Sequence, residues 1–296
     1  MIHAIDTTCQ DLRHNAKIRV VVLSGAGRGF CSGLDVSSVL LEQKQPFRNI
    51  ETLLKRPETE NVSTEKKISY SSLCNLVQRV SLGWRDLPVP VIASLHGVCF
   101  GGGLQIALGA DIRLCSPTAK LSIMETKWGL IPDMGISVVL PELVRADVAK
   151  ELTFSGRIVS GTEAAQLGLV TRVVDSYRDN NGRNSNGSSK SDQLEEGELV
   201  LKYAMTMARE LITRSPDALS RAKRLYHYAY SSMGPLESDM NRVAHCLRLE
   251  TDLQRELLVS WNQVAASSRA FGWKVPYKAR SESQARDEDE TKDITP

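Results

Sequence analysis

The sequence predicts an α/β fold, in which short buried strands alternate with helices. Two observations support this prediction. Short runs rich in β-branched residues, each ending near glycine or proline, recur between residues 19 and 174. Between and after these runs, apolar residues repeat at the three- and four-residue spacing of amphipathic helices.

Five apolar runs have the length and composition of strands, and they cover residues 19–24, 89–95, 112–115, 120–123 and 170–174. Helical spacing follows the second run over Gly102–Gly109 and returns over Ile136–Phe154, with Gly156 just past its end. Ser160 and Glu163 have the spacing of a capping box, which predicts a further short helix. This alternating order supports the α/β architecture.

The segment that follows this core is polar. Residues 176–192 contain no aliphatic side chain, so they cannot bury enough apolar surface to offset the entropy cost of ordering them. Helical spacing resumes at Leu199, a second helix is expected from Ser215 to about Tyr230, and a third over Glu237–Ala266. We therefore divide the chain into a core over residues 1–175, a flexible polar insertion over 176–198, a helical region over 199–272 and a disordered tail over 273–296.

The composition is that of an ordinary globular protein. The 296 residues are 42% hydrophobic and 24% charged, which excludes a wholly disordered chain, a collagen and a disulfide-dense miniprotein. Lysine and arginine number 37 and aspartate and glutamate 35, so the formal net charge is +2. A charge this close to zero gives no indication of a nucleic-acid partner or an anionic membrane surface.

The six cysteines are scattered through the chain. They form no Cys-x-x-Cys pair, and no histidine stands at metal-ligand spacing from them, so no metal site is expected. Such usage is typical of reduced thiols in an intracellular protein of the cytoplasm or an organellar matrix. Residues Met1–Lys17 lack the apolar core of a signal peptide, so none is expected.

One uncharged run, Leu87–Ala110, is as long as a membrane-spanning helix. However, Pro88 and Pro90 open it, and three consecutive glycines, Gly101–Gly103, interrupt it. These residues favour a buried strand, a turn and a helix over one continuous span. We therefore expect no membrane span here.

The first glycine-rich segment follows the first predicted strand, with Gly25, Gly27 and Gly29 at alternate positions. A dinucleotide-binding turn would have Gly-x-Gly-x-x-Gly running into a helix. Here Phe30 occupies the position after Gly29, and no helical spacing follows. An ordinary turn from strand to loop explains the segment at least as well.

The second glycine-rich segment is more specific, because Gly101–Gly103 stand directly before a predicted helix. Glycines there leave the first N–H groups of the helix exposed and let another group approach the backbone closely. Such a place stabilises negative charge, either on a phosphate or on an oxygen that becomes negative during a reaction. Close packing of the helix against a sheet is the structural alternative.

Taken together, the segments resemble the enoyl-CoA hydratase/isomerase (crotonase) family. The resemblance covers residues 19–174 and rests on the motifs at 19–24, 29–35, 88–93, 96–103, 110–113, 119–121, 125, 129–135, 154–157 and 164–170. It implies a spiral of ββα units with a C-terminal helical trimerisation region. It also implies acyl-CoA thioester substrates, homotrimers or hexamers, and no cofactor beyond the coenzyme A of the substrate.

The resemblance also assigns the residues that bind the substrate. By position, the backbone N–H groups of Leu34 and Gly102 form an oxyanion hole for the thioester oxygen. Further substrate-binding positions implied in this way are Ser32, Gly33, Asp35, Gly101, Gly103 and Gln105. The resemblance makes the first glycine segment a turn that leads to the oxyanion hole.

The carboxylates distinguish the reactions of the family. Hydratases of the family use two glutamates to split a water molecule; the second matches Glu125, whereas the first position holds Gln105, whose amide cannot accept a proton. One glutamate suits a double-bond isomerase, and Asp133 stands where dienoyl-CoA isomerases carry an aspartate. We therefore expect an isomerase of fatty-acid β-oxidation with Glu125 and Asp133 as acid/base groups.

Several alternatives remain open from the sequence. Dienoyl-CoA isomerases also carry an aspartate at position 105, so a hydratase that works despite Gln105 is the nearest rival. A non-catalytic acyl-CoA-binding or scaffold protein is another, for two reasons: position 105 is glutamine, and only 18 residues precede the first predicted strand, where members of the family usually have further strands. Without the resemblance, Glu125 would be a surface charge paired with Lys127, and Asp133 a turn residue or helix cap.

Overall fold

Two small β-sheets and the helices around them make up the fold. The computed structural model describes residues 1–33, 54–55, 73–174, 190–231, 252–254, 256–257, 260–270 and 272–280. The larger sheet is parallel and contains, in spatial order, β1 (Val21–Ser24), β2 (Val91–Leu95), β4 (Ile112–Cys115) and β7 (Arg172–Val173). Val91 lies opposite Val21, and Ile92 lies opposite Ile112.

The smaller sheet contains β3 (Val98–Phe100), β5 (Lys120–Ser122) and β6 (Val159–Ser160), with β3 parallel to β5 and β5 antiparallel to β6. Gly97 turns the chain from β2 into β3 at a φ of +55°, where a Cβ would collide with the carbonyl oxygen of Arg28. Successive turns of the chain thus place one strand in each sheet. The α/β prediction is confirmed, and this arrangement is the predicted spiral of ββα units.

The helices follow in chain order: α1 (Ile2–His14), α2 (Leu76–Asp86), α3 (Gly102–Leu108), α4 (Ile136–Leu143), α5 (Ala146–Ser155), α6 (Gly161–Leu167), α7 (Lys190–Leu211), α8 (Pro216–Ser231) and α9 (Trp261–Ala270), with a 3-10 turn at Glu125–Trp128. β2 is buried on both faces, as expected for a central parallel strand. One face packs against the core that contains α3, and on the other Ile92 packs with Val200 and Ala204 of α7. Within the described ranges, no helix is both long and apolar enough to cross a membrane.

The single helix predicted over Ile136–Phe154 is two helices, so that prediction is wrong at its centre. Val144 separates α4 from α5 in an extended conformation, with φ −133° and ψ 159°. Its side chain is buried in the core. Burial of this β-branched residue outweighs continuation of the helix, which the apolar spacing alone could not indicate.

Helix α7 begins at Lys190 rather than at 199, so residues 190–198 do not belong to a flexible insertion. Glu196 is buried and accepts a hydrogen bond from the Thr118 hydroxyl. Gly197 lies against the His96 ring, where a Cβ would come within 2.6 Å of Cδ2. These contacts order a polar stretch that offers little apolar surface. Residues 176–189 of the predicted insertion lie outside the described part of the chain.

The predicted disordered tail begins too early, because residues 272–280 pack against the helical region. The Tyr277 hydroxyl donates to the carbonyl of Thr213, and the Lys278 N–H donates to Asn262 Oδ1. Trp261 Nε1 donates to the carbonyl of Pro276. Hydrogen bonds with two side chains of α9 and with a backbone carbonyl after α7 thus order this segment. Residues 281–296 lie outside the described residues.

A buried charge cluster fastens α8 to the sheet. Lys223 Nζ lies 2.8 Å from Asp111 Oδ2 and also donates to the carbonyls of Trp84 and Val89. His227 Nε2 lies 3.1 Å from Asp111 Oδ1. Burial lowers the pKa of Lys223 and of His227, whereas Lys223 and His227 together hold the pKa of Asp111 below its usual value despite burial. Asp111 therefore compensates a cation with almost no access to water.

Replacing Asp111 by Asn should destabilise the protein strongly, because it leaves Lys223 buried beside a neutral amide. We expect the free energy of unfolding to fall by about 3–5 kcal/mol at pH 7.

In the wild type, stability should decline as the pH falls below the unfolded-state pKa of His227, and again as Asp111 takes up a proton. Urea unfolding across this pH range tests both points. Asp147→Asn, in an exposed ion pair with Arg145, is the control and should leave the midpoint unchanged.

Candidate functional site

The site is built around the turn that joins β3 to α3. Gly101 holds this turn in a left-handed conformation, with φ +52°, and its N–H donates to the carbonyl of Ser122 at 2.9 Å. Helix α3 then starts at Gly102, whose N–H has no intrahelical acceptor because it is the first residue of the helix. The turn therefore presents a backbone donor that is free to bind an oxygen.

The first glycine segment ends beside this donor. Cys31 extends the smaller sheet: its N–H donates to the carbonyl of Val98, and its own carbonyl accepts from the N–H of Phe100. A Cβ at Gly33 would lie 2.8 Å from the Phe100 oxygen and 3.7 Å from the N atom of Gly102. The structure thus brings together two segments that are nearly 70 positions apart.

The predicted oxyanion-hole residue Leu34 and the predicted binding residue Asp35 lie outside the described residues. Ser32 is described and exposed. Gly103 packs against Cys31, since a Cβ there would lie 2.7 Å from Cys31 Cβ and 2.9 Å from Sγ. Close packing of the helix against a sheet, the structural alternative for this segment, therefore describes Gly103, which lies against Cys31 at the edge of the smaller sheet.

Gln105 lies one turn into α3 and is buried, with 2% of its surface exposed. Its Nε2 donates to Glu125 Oε1 at 2.7 Å. Its Oε1 accepts from the backbone N–H of Met134 at 2.9 Å. A single amide thus connects the helix to both segments that carry the predicted acid/base residues.

Glu125 begins the 3-10 turn and is half-buried beside the glycine turn. Its Oε1 would lie 3.3 Å from a Cβ at Gly101. Its Oε2 is buried, and it has no hydrogen-bond partner among the described residues. Desolvation raises the pKa of Glu125, and the negative charge of Asp133 adds to this effect; hydrogen bonds from its backbone and from Gln105 oppose it. Such a carboxylate is poised to take and return a proton.

Asp133 stands on the neighbouring loop, and its side chain retains contact with solvent. Partial desolvation raises the pKa of this carboxyl. The next residue, Met134, was not among the sequence predictions. Its Sδ lies against α3, 2.8 Å from where a Cβ at Gly102 would be, so its side chain borders the predicted oxyanion hole. No motif identifies Met134, and only the folded loop brings it there.

The alternative interpretation of Glu125 as a surface charge paired with Lys127 is not what the structure presents. The aliphatic stem of Lys127 lies against Gly156, within 3.1 Å of a Cβ built there, while Glu125 is bonded to Gln105. His96 faces away from the site: its ring contacts α7, and Nε2 is 2.9 Å from the carbonyl of Gly27. Burial raises the pKa of the Cys99 thiol well above its usual value, consistent with a core residue.

A site of this kind can polarise a carbonyl oxygen and move a proton on a neighbouring carbon. The N–H of Gly102 would bind the oxygen, and the free Oε2 of Glu125 would accept the proton. In the described part of the chain, no group of three or more His, Cys, Asp or Glu side chains is arranged to hold a metal ion.

Comparison with solved structures supports the fold. The enoyl-CoA hydratase of Bacillus anthracis superposes on this chain with a TM-score of 0.70. The match covers 94% of this chain and 88% of that protein at 22% sequence identity. At this level of identity the likeness establishes the architecture, namely the spiral of ββα units.

Curated relatives include both types of enzyme. Rat mitochondrial methylglutaconyl-CoA hydratase is 36% identical over 213 residues, which cover 72% of this chain and 55% of the relative. The peroxisomal Delta(3,5)-Delta(2,4)-dienoyl-CoA isomerase of Arabidopsis thaliana is 34% identical over 165 residues, covering 56% of this chain and 55% of the relative. The chain therefore spans a little over half the length of these relatives.

The family model for enoyl-CoA hydratase/isomerase matches residues 1–179, which include both glycine segments, Gln105, Glu125 and Asp133. This match takes in more than half of the chain and all of the described strands. The chain belongs to the enoyl-CoA hydratase/isomerase family.

Proposed function

We propose that the chain shifts a double bond in an enoyl-CoA or dienoyl-CoA thioester by proton transfer through an enolate, as in fatty-acid β-oxidation. One observation carries the proposal. The carboxylate of Glu125 has one oxygen fixed by the amide of Gln105 and the other buried and unbonded, directly beside the glycine turn. The site thus offers one ready base and no second carboxylate at position 105.

The first step is binding of the thioester oxygen. The oxygen would accept a hydrogen bond from the N–H of Gly102. A second donor is expected from Leu34, which lies outside the described residues. The sulfur lone pair of a thioester is only weakly delocalised into the carbonyl group, so a proton on the α-carbon is more acidic than in an ester or amide. The two N–H donors then stabilise the negative charge that develops on the carbonyl oxygen. Loss of one such donor typically lowers a rate by about 10²–10³.

The second step is proton transfer. Oε2 of Glu125 removes a proton from the α-carbon, and the electron pair of that C–H bond forms the enolate. The negative charge returns through the conjugated system to the far end of the double bond, which takes up a proton. In a monoenoyl substrate, Glu125 can return the same proton. In a dienoyl substrate, Asp133 can supply one at the distal carbon, after which Glu125 releases its proton to solvent and Asp133 takes one up. Desolvation raises the pKa of both carboxyls, which makes Glu125 a stronger base and keeps a larger fraction of Asp133 protonated and able to donate.

Hydration of a 2-enoyl-CoA is the second candidate, and it is favoured by the hydratases among the relatives. Gln105 argues against it. Its Nε2 already donates to Glu125, and an amide cannot accept the proton that an attacking water must lose. A non-catalytic acyl-CoA-binding or scaffold role requires only the oxyanion hole.

Replacing Glu125 by Gln should remove the base while keeping its shape. We expect isomerisation of 3-enoyl-CoA or 3,5-dienoyl-CoA to slow by about 10²–10⁴. The assay is mass spectrometry of the products in deuterated water, with 2-enoyl-CoA as a third substrate. Glu210→Gln, an exposed change in the last turn of α7, is the matched control and should retain full activity.

The products separate the three candidates. A product with a shifted double bond supports the isomerase, and any deuterium in it measures how often the proton on Glu125 exchanges with solvent before it is returned. A 3-hydroxyacyl product from the wild type would replace the isomerase by the hydratase. Binding of all three substrates without turnover would favour the scaffold role, and an unchanged rate in Glu125→Gln would remove Glu125 from the mechanism.

We further propose that the chain assembles into a homotrimer or hexamer in the cytoplasm or an organellar matrix. Exposed apolar side chains beside the site support assembly: Trp128 is 55%, Ile131 75% and Phe154 74% exposed. A hydrogen bond from the Thr126 hydroxyl to the carbonyl of Thr153 holds the two segments together. Apolar surface of this kind on a monomer is typical of a protein–protein contact.

Replacing Ile131 by Asp should weaken this assembly, because a charge would be buried in an apolar contact. We expect sedimentation velocity to detect a shift from trimers or hexamers towards monomers at equal protein concentration. Ala4→Asp, an exposed change on α1, is the control and should not alter the distribution. Identical oligomer distributions for the wild type and Ile131→Asp would contradict a contact at this loop.

A further inference from the structure

We propose that Gln105 is a positioning residue, which holds Glu125 and the loop carrying Asp133 in one fixed arrangement. The inference deepens the proposed function and rests on it for its kinetic consequences. It stands apart from the oxyanion hole, because Gln105 acts through two side-chain hydrogen bonds rather than through contact with the thioester oxygen.

The orientation of the Gln105 amide is determined by its partners. A backbone N–H can only donate, so the atom that faces the N–H of Met134 at 2.9 Å must be the amide oxygen. The amide nitrogen is then left to donate to Glu125 Oε1 at 2.7 Å. Both bonds are satisfied in one orientation and both are lost if the amide rotates by 180°.

The backbone that carries Gln105 is also fixed. Its N–H donates to the carbonyl of Gly101 at 3.0 Å, and its carbonyl accepts from the Ser81 hydroxyl of α2. The side chain is almost completely buried, so it has no room for another rotamer that reaches water. Gln105 is therefore a rigid support and not a mobile surface amide.

The loop that carries Asp133 is anchored on its C-terminal side. The N–H of Met134 is bonded to Gln105, and Gly135 follows in a left-handed conformation, with φ +86°. Gly135 packs on α2, where a Cβ would lie 2.7 Å from Leu82 Cδ1. Gln105 and α2 thus set where Asp133 stands relative to Glu125, although the Asp133 side chain itself faces solvent.

An amide suits this position better than the residues closest to it in shape. A glutamate would set a carboxylate oxygen against Glu125, and the two groups would have to share a proton. A leucine would fill the space without either hydrogen bond. With glutamine, the bond to Glu125 favours its ionised form, and Oε2 remains the oxygen that exchanges a proton with substrate.

The test compares Gln105→Leu and Gln105→Glu with the wild type. Without the amide donor, the pKa of Glu125 should rise by about one pH unit, as expected for loss of one hydrogen bond to a charged group. The acid limb of kcat/KM should move to higher pH by the same amount, while the Kd for a saturated acyl-CoA should change less than threefold, about 0.6 kcal/mol. Gln105→Glu should raise the pKa further.

The matched control is Gln10→Leu. Gln10 lies on α1, and its Nε2 also donates to a carboxylate, Asp6 Oδ2 at 3.1 Å, but at the surface. This variant should leave the acid limb and the titration of Glu125 unchanged. A shift in Gln10→Leu equal to that in Gln105→Leu would assign the effect to general destabilisation and overturn the proposal.

A second readout does not depend on turnover. Infrared difference spectroscopy can follow the carboxyl stretch of Glu125 as the pH changes, when the spectrum of Glu125→Gln is subtracted from that of the wild type. The same titration is then made with Gln105→Leu present in both proteins, and the two midpoints are compared. A higher midpoint in that background supports the proposal, and an equal midpoint overturns it. If the wild type isomerises none of the three substrates, the proposed function fails, while this titration still decides the role of Gln105. If Gln105→Leu does not fold, Gln105→Glu, which keeps the acceptor for Met134, decides it by the same titration.

Discussion

The N-terminus of α3 is in close contact with three neighbours, and a glycine stands at each of the three points of contact. Glu125 Oε1 approaches Gly101, Met134 Sδ approaches Gly102, and Cys31 approaches Gly103. A side chain at any of these positions would push one neighbour away. Glu125, Met134 and Cys31 therefore share one steric constraint, namely the absence of a side chain on the three glycines.

The same constraint explains why the helix terminus can bind an oxygen. Packing leaves Gly102 only partly exposed, and reduced contact with water strengthens the interaction of an N–H group with a developing negative charge. It also desolvates Glu125, whose pKa rises in consequence. Gln105 and backbone N–H groups counter part of this cost, so the carboxylate remains able to accept a proton. The proposed oxyanion donor and the proposed base thus both depend on the packing of one turn.

Much of this site could be predicted from the sequence, because its two glycine segments are local patterns. One follows a strand, and the other stands directly before a helix. Local patterns predict the α/β order and the start of α3. The resemblance to the family predicts that the two glycine segments lie close together. The bond between Gln105 and Met134 does not, since it joins residues on separate elements. Position 105 was assigned to substrate binding, whereas its side chain is bonded to protein on both sides.

The boundaries that sequence reasoning missed have a common cause. The break at Val144, the early start of α7 and the ordered segment 272–280 are all set by contacts with other elements. Glu196 is an example: a charged residue in a polar stretch predicts solvent exposure, yet it is buried against Thr118. Local composition cannot reveal a partner supplied by a distant part of the chain.

The central claim is that the Gly102 donor and Glu125 together make an α-proton of a bound thioester exchangeable. The most direct measurement is nuclear magnetic resonance of a saturated acyl-CoA incubated with the protein in deuterated water, because such a ligand has no double bond to shift or hydrate. We expect loss of the α-proton signal with the wild type and its retention with Glu125→Gln. Tight binding of the ligand without any exchange at the α-carbon in the wild type would contradict it.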